Sequence, residues 1–250
     1  GGKKMHSTHG VHPKAPNKHI FRLSNNVHEG ILGVGPQWHN DGSFERAVFS
    51  HVGYHIIKPQ EMCGTEFSHQ GIAHKMLTEK EKIEWEYLTS VNSNSGVLHP
   101  LVHKHPISGI KSVWLHLGMT GAVIRYDPWS DSIELLKEDE LRQLMNRYNT
   151  LLNNGYNNEQ AYSMRYEYEA GDMVFIDNMA IAHRAMKKAH TPENSSGNTR
   201  ILHRTTVAAK CNFDPRNNLP FKMTRRPSVN GVWIQDGNGF VWDENERIQN

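Results

Sequence analysis

Cysteine is scarce in this chain: Cys63 and Cys211 are the whole complement. Two thiols cannot form a disulfide framework, so the core must be apolar, and free thiols fit a reducing compartment; a cytoplasmic location is expected. Long apolar runs are missing as well. No stretch approaches the roughly 18 residues of a membrane span, and the opening GGKKMHSTHG lacks the apolar centre of a signal peptide, so no membrane partner is expected. The chain opens on Gly1 rather than Met, so its natural start is expected to be missing or processed.

Charge of one sign is also lacking. Lys and Arg number 28 against 26 Asp and Glu, a formal net charge of +2 spread along the chain. The densest basic patch, KMTRRP around Arg225, is too short for the basic stripe of a nucleic-acid binder, so no nucleic-acid partner is expected. No internal repeat is evident, and no HExxH helix of a zinc hydrolase occurs.

What is present is an ordinary globular balance, 37% hydrophobic and 22% charged over 250 residues, enough for a single domain with one core. Residues 1–30, rich in His, Lys, Pro and Asn, read as an extended N-terminal segment. Residues 31–210 read as the core, and 211–250 as a C-terminal extension in which VWIQDGNGFVW forms a β-hairpin. That tail is expected to pack on the barrel, the alternative being a subunit contact in a homo-oligomer.

Strand patterns occupy AVFSHVGYHII (47–57), SVWLHL (112–117), GAVIRY (121–126), DMVFIDN (172–178) and TRILHRTTVAA (199–209). Two segments read as helices: TEKEKIEWEYLTSV after Thr78, with a capping box to Glu81, and EDELRQLMNRYNTLLNNG, ended by Asn-Gly. Short strands separated by turns, without regular strand-helix alternation, predict a mainly β fold with inserted helices, a jelly roll or barrel and not a doubly wound sheet.

Histidine is the abundant residue, with 17 copies. His39 and Asp41 stand two apart in WHNDGSF, and on an extended strand that spacing puts both side chains on one face. About two His-x-acid matches would arise by chance at this composition; this is the one that occurs. Alone it could be a surface turn pair. His183 follows the strand DMVFIDN and is displayed at its end. Two imidazoles and one carboxylate can bind Fe(II) and still leave coordination positions open for O2 and a bidentate cosubstrate. Arg200 and Arg204, four apart in RILHR, share a strand face, and a guanidinium there suits bidentate capture of a carboxylate. His103 and His105 form a His-x-His pair whose flanking prolines favour a structural loop over a cupin-type metal site.

WHNDGSF, GTEF (64–67), LHPLVHKHPISGIKSVWL, GDMVFIDNMAIAHRA and RILHRTTV, in that order, resemble the taurine dioxygenase/TfdA-like dioxygenases. The resemblance runs from about residue 28 to 209. It implies a double-stranded β-helix (jelly-roll) core with Fe(II), 2-oxoglutarate and O2. By position, His39, Asp41 and His183 would ligate iron, Thr65 and Arg200 would hold the distal carboxylate of 2-oxoglutarate, and Arg204 would anchor an acidic group of a small anionic substrate. Gln37, Trp114 and His116 are candidates to line the pocket, each with a plain structural role as the alternative. The expected outcome is substrate hydroxylation with release of succinate and CO2, since a carboxylate at position 41 leaves no vacancy for chloride. Desaturation or oxidative cyclisation is the alternative within that chemistry; a non-catalytic jelly roll or a zinc hydrolase is the alternative outside it.

Overall fold

The computed structural model describes residues 10–157, 159–190 and 199–209, together with the backbone of 232–236 and 239–243. The basic patch around Arg225, Cys211 and the loop 191–198 lie outside the described residues. Elements follow in the order β1 (Phe21–Ser24), β2 (Phe49–Lys58), β3 (Thr65–His69), α1 (Gln70–Lys75), α2 (Glu79–Glu86), β4 (Leu88–Asn92), β5 (Leu98–Pro100), β6 (Val102–Lys104), β7 (Lys111–Val113), β8 (Thr120–Asp127) and β9 (Ser132–Leu135). Then come α3 (Glu138–Asn153), β10 (Ser163–Tyr166), β11 (Met173–Asp177), β12 (Ile181–Ala185), β13 (Ile201–Ala208) and the paired β14 (Val232–Asp236) and β15 (Gly239–Asp243). Among the described residues no helix is long and apolar enough to cross a membrane.

Two antiparallel sheets form the jelly roll. One has the order β1-β13-β2-β11, the other β10-β3-β12. Alternation along β2 sends Val52, Tyr54 and Ile56 inward, where they meet Phe67 of β3, Ile176 of β11 and Leu202 of β13 in one buried cluster. A second and larger cluster joins Trp38, α3 and the strands around β6 to β8. The α3 stripe Leu141, Leu144, Met145, Tyr148, Leu151 and Leu152 has the spacing of one helix face, and it is that face that is buried.

The helical expectation after Thr78 is half right. The capping box forms as expected, with Thr78 and Glu81 exchanging hydrogen bonds, but α2 stops at Glu86. LTSVN is a strand instead, β4, fully buried between β5 and β8. Its side chains are satisfied by cross-strand neighbours, which outweigh the weak helical pattern. The expected strand 112–117 shortens to β7; Trp114 and Leu117 donate their amides to Leu101 and Trp38 outside any ladder. Helix α1 was not anticipated. It is a single short helix capped by an imidazole: His69 Nδ1 accepts from the amides of Gly71 and Ile72.

Gly64 marks a close backbone approach. A Cβ there would lie 1.9 Å from the carbonyl oxygen of Tyr166, and the Gly64 carbonyl accepts from the Met186 amide. Gly64→Ala is expected to destabilise the protein by about 3 kcal/mol, because backbone and not a flexible side chain must move. Urea unfolding checks this; a loss below ~0.5 kcal/mol would show that the β3 and β10 ends separate freely.

Candidate active site

His39 and Asp41 reach one site by a route other than the expected strand. His39 makes an isolated antiparallel bridge with His183: its amide donates to the His183 carbonyl at 3.0 Å, and its carbonyl accepts from the His183 amide at 2.9 Å. Asp41 then begins a turn. His183 lies in the middle of β12, paired with Phe67 of β3, and not at the end of the preceding strand. The bridge aligns the two histidines, and the turn brings the carboxylate back between them.

Their ligand atoms all lie within 4.8 Å of one another, and all three residues are buried. Nε2 of His39 is 3.9 Å from Asp41 Oδ1, and Nε2 of His183 is 3.7 Å from Asp41 Oδ2. The His39 Nδ1 donates to the Gln37 carbonyl at 2.8 Å, which leaves the Nε2 lone pair free to face the carboxylate. Burial pushes the His39 and His183 imidazoles below their ordinary range, the nearby Asp41 opposing this for His39, so both are neutral at neutral pH as a metal ligand must be. Asp41 Oδ2 is buried with no hydrogen-bond partner. A buried carboxylate oxygen facing an unprotonated imidazole is costly unless a cation joins them. Two imidazoles and one carboxylate, with no fourth protein donor in the cluster among the described residues, fit an iron site with open positions.

Beside the triad lies a pocket bordered by His39, His183, Tyr54, Thr65, Arg200 and Arg204. Thr65 opens β3, while Arg200 precedes β13 and Arg204 lies within it on the inward face with Leu202 and Thr206. Arg204 is 6% exposed and donates to Asp41 Oδ1 at 2.6 Å, while its Nε is buried without an acceptor. Arg200 is 8% exposed, and burial lowers its affinity for its proton. Among the described residues it has no carboxylate partner. Buried guanidinium groups require anions.

Gly35 closes the pocket at the His39 side. Its φ of +76° and the 2.7 Å between a built Cβ and His39 Cε1 both demand glycine.

Gln37, Trp114 and His116 do not border this pocket. Trp114 is a core residue, 1% exposed, packed with Val48 and Met179 and edge-on to His99. His116 stays close, its ring 5.0 Å from that of His39, and Gln37 offers its carbonyl to His39. Tyr54 was missed. Its ring meets His183 edge-on at 5.9 Å, and the inward phase of AVFSHVGYHII was the signal for it. His103 and His105 are structural: His103 Nε2 donates to the Met179 carbonyl at 3.0 Å and His105 Nε2 to Asp177 at 2.9 Å.

A jelly roll with a buried His-Asp-His donor set beside cationic side chains defines the class of non-haem iron oxygenases. The chain belongs to the family described as Taurine catabolism dioxygenase TauD, TfdA family, which it matches over residues 3–206. Similar solved structures include a taurine dioxygenase from Burkholderia xenovorans, at 19% identity over 86% of this chain and 71% of that one, TM-score 0.60. A second structure from the same organism has 17% identity over 86% of this chain and 73% of that one, TM-score 0.63. AAD-2 in complex with Mn(II) and N-oxalylglycine has 21% identity over 72% of this chain and 66% of that one, TM-score 0.58. At such identities the likeness is one of fold. No curated protein matches the sequence. The chain is a 2-oxoglutarate-dependent non-haem iron dioxygenase, using Fe(II), 2-oxoglutarate and O2 on a small molecule.

Proposed function

We propose that the enzyme hydroxylates a small organic anion, with His39, Asp41 and His183 holding the iron. The observation that carries this is the pair of buried arginines in the triad's pocket, of which, among the described residues, only Arg204 has a carboxylate. Bound Fe(II), with 2-oxoglutarate and O2, supplies the oxidising chemistry, and succinate and CO2 leave as the substrate is oxidised.

Each side chain then has a task. Arg200 and the Thr65 hydroxyl hold the distal carboxylate of 2-oxoglutarate through charge-assisted hydrogen bonds. Arg204 keeps Oδ1 of Asp41 occupied, so Oδ2 is the oxygen left for the metal. The unpartnered Nε of Arg204 is directed to an anionic group of the substrate. Tyr54, whose hydroxyl is held protonated by burial and by the nearby Asp41, adds a neutral wall against His183. Gln37, whose carbonyl accepts from His39 Nδ1, and His116, whose ring packs beside it, orient that ligand. With iron, 2-oxoglutarate, Asp41 and both arginines counted, one positive charge remains, which a monoanionic substrate neutralises.

Arginine replacements test this reading. Arg200→Gln is expected to raise the KM for 2-oxoglutarate about 30-fold or more, since truncating one partner of a buried charge pair costs about 2 kcal/mol or more. Arg204→Gln is expected to raise the KM for the primary substrate more than that for 2-oxoglutarate. Both are read by succinate release across a panel of small organic anions; the reverse pattern would exchange the two roles.

A further inference from the structure

We propose that Asn178 is the positioning residue of the metal site, its side-chain amide gripping the backbone of Asp41 and so setting that carboxylate against His39 and His183. This rests on the reading of the triad as a metal site.

Asp41 belongs to no strand, so no ladder places it. Both of its backbone polar groups are instead satisfied by one side chain. Asn178 Oδ1 accepts from the Asp41 amide at 2.9 Å, and Asn178 Nδ2 donates to the Asp41 carbonyl at 2.8 Å. The same Nδ2 donates to the Phe49 carbonyl at 2.7 Å, tying the grip to the start of β2. Asn178 is 0% exposed, so these bonds have no competition from water.

The neighbouring residue is pinned to the same turn from the other direction. Asn40 Nδ2 donates to the carbonyls of Asn178 at 2.7 Å and Ile181 at 3.0 Å, and Asn40 exchanges hydrogen bonds with Gln70. Gln70 in turn donates to the Tyr148 hydroxyl on α3. Behind the turn, His105 holds Asp177 and His103 holds the Met179 carbonyl. The turn between β11 and β12 is thus anchored at three successive residues. It carries Asn178 five residues before His183, so one rigid segment sets both the second histidine and the carboxylate opposite it. A ligand held in place through its backbone keeps its geometry before the metal arrives, and loss of such outer contacts weakens metal binding.

The test uses Co(II) alone, titrated by its visible d–d absorption well below the melting temperature of every variant. His183→Ala defines background binding by other histidines. Asn178→Ala is expected to weaken Co(II) binding about 10- to 100-fold and to change the band shape. Val123→Ala, a core truncation remote from the turn, is expected to lower the melting temperature while leaving affinity and spectrum unchanged. If Asn178→Ala does not fold, Asn178→Ser, which keeps a single donor and acceptor, is expected to show a smaller loss of the same kind. A folded Asn178 variant with wild-type affinity and spectrum overturns the positioning role. Wild-type protein binding Co(II) no better than His183→Ala overturns the metal-site reading, and the inference with it.

Discussion

Replacing His183 with glutamine is expected to lower succinate formation by more than about 10³-fold, because the ferrous site loses one of three protein donors. His183 is 3% exposed, and its neutral Nε2 faces Asp41 Oδ2 at 3.7 Å. Glutamine fills a similar volume against Tyr54 and Phe67, whose rings lie 5.9 and 6.5 Å from the imidazole, so the β12 pairing should survive. Its weaker donor leaves His39 and the Asp41 carboxylate without a firmly held cation. The measurement is 2-oxoglutarate-dependent succinate release beside the anaerobic visible band formed with Fe(II). A variant that retains activity within tenfold of wild type would place the iron elsewhere.

Acid is expected to begin destabilising the protein near pH 6.5, before its carboxylates titrate. His99 and His103 are buried, 3% and 4% exposed, and burial pushes them down to about 4 and about 3, against the hydrogen bonds they make to Ser43 and Met179. In the unfolded chain each takes a proton near pH 6.5. Below that pH the unfolded state therefore binds protons that the folded state refuses, so stability falls with pH and the loss is complete only at the folded values. Each tenfold drop in proton affinity on folding is worth about 1.4 kcal/mol, so the two histidines cost roughly 3 and 5 kcal/mol by pH 3, comparable to the whole stability of a typical domain. Urea midpoints between pH 7 and 4 check this. His103→Asn is expected to flatten the dependence by about one proton, and a midpoint that stays level from pH 7 to 4.5 would refute the account.

His103 and His105 explain the stretch LHPLVHKHPISGIK. His105 Nδ1 accepts from the amides of Ile107 and Ser108 to form its own turn, while His103 and His105 grip the turn before β12. The sequence marks them as structural through the flanking prolines, but says nothing of what they hold. Their partners, Met179 and Asp177, are more than 70 residues away in the chain. The same limit applies to Asn178. Nothing local distinguishes it from any polar residue after a strand, and only the fold brings Asp41 within its reach.

Local signals were decisive where a pattern repeats over several residues. The inward phase of β2, the single buried face of α3 and the capping box at Thr78 are set by neighbours within a few positions, so they are legible before any folding. Pattern failed where a segment's partners lie far off. LTSVN continues a helical phase but is buried on both faces between β5 and β8. The spacing of His39 and Asp41 pointed to one face of a strand; the bridge to His183 and the following turn achieve the same convergence differently.

By itself the sequence determined which residue types could meet a metal and an anion, since only one His-x-acid pair occurs and Arg200 and Arg204 stand four apart in RILHR. It determined the β character and the helical insertions too, because side-chain periodicity is a local property. Tertiary structure alone decided that these groups meet. The separation of Asp41 from His183 is long in the chain and 3.7 Å in space, and the charge partition at Asp41, one oxygen to Arg204 and one left open, exists only once both are buried together. Desolvation does the rest: it keeps the histidines neutral and leaves Arg200 in need of an anion, and burial of that kind is a property of the packed fold.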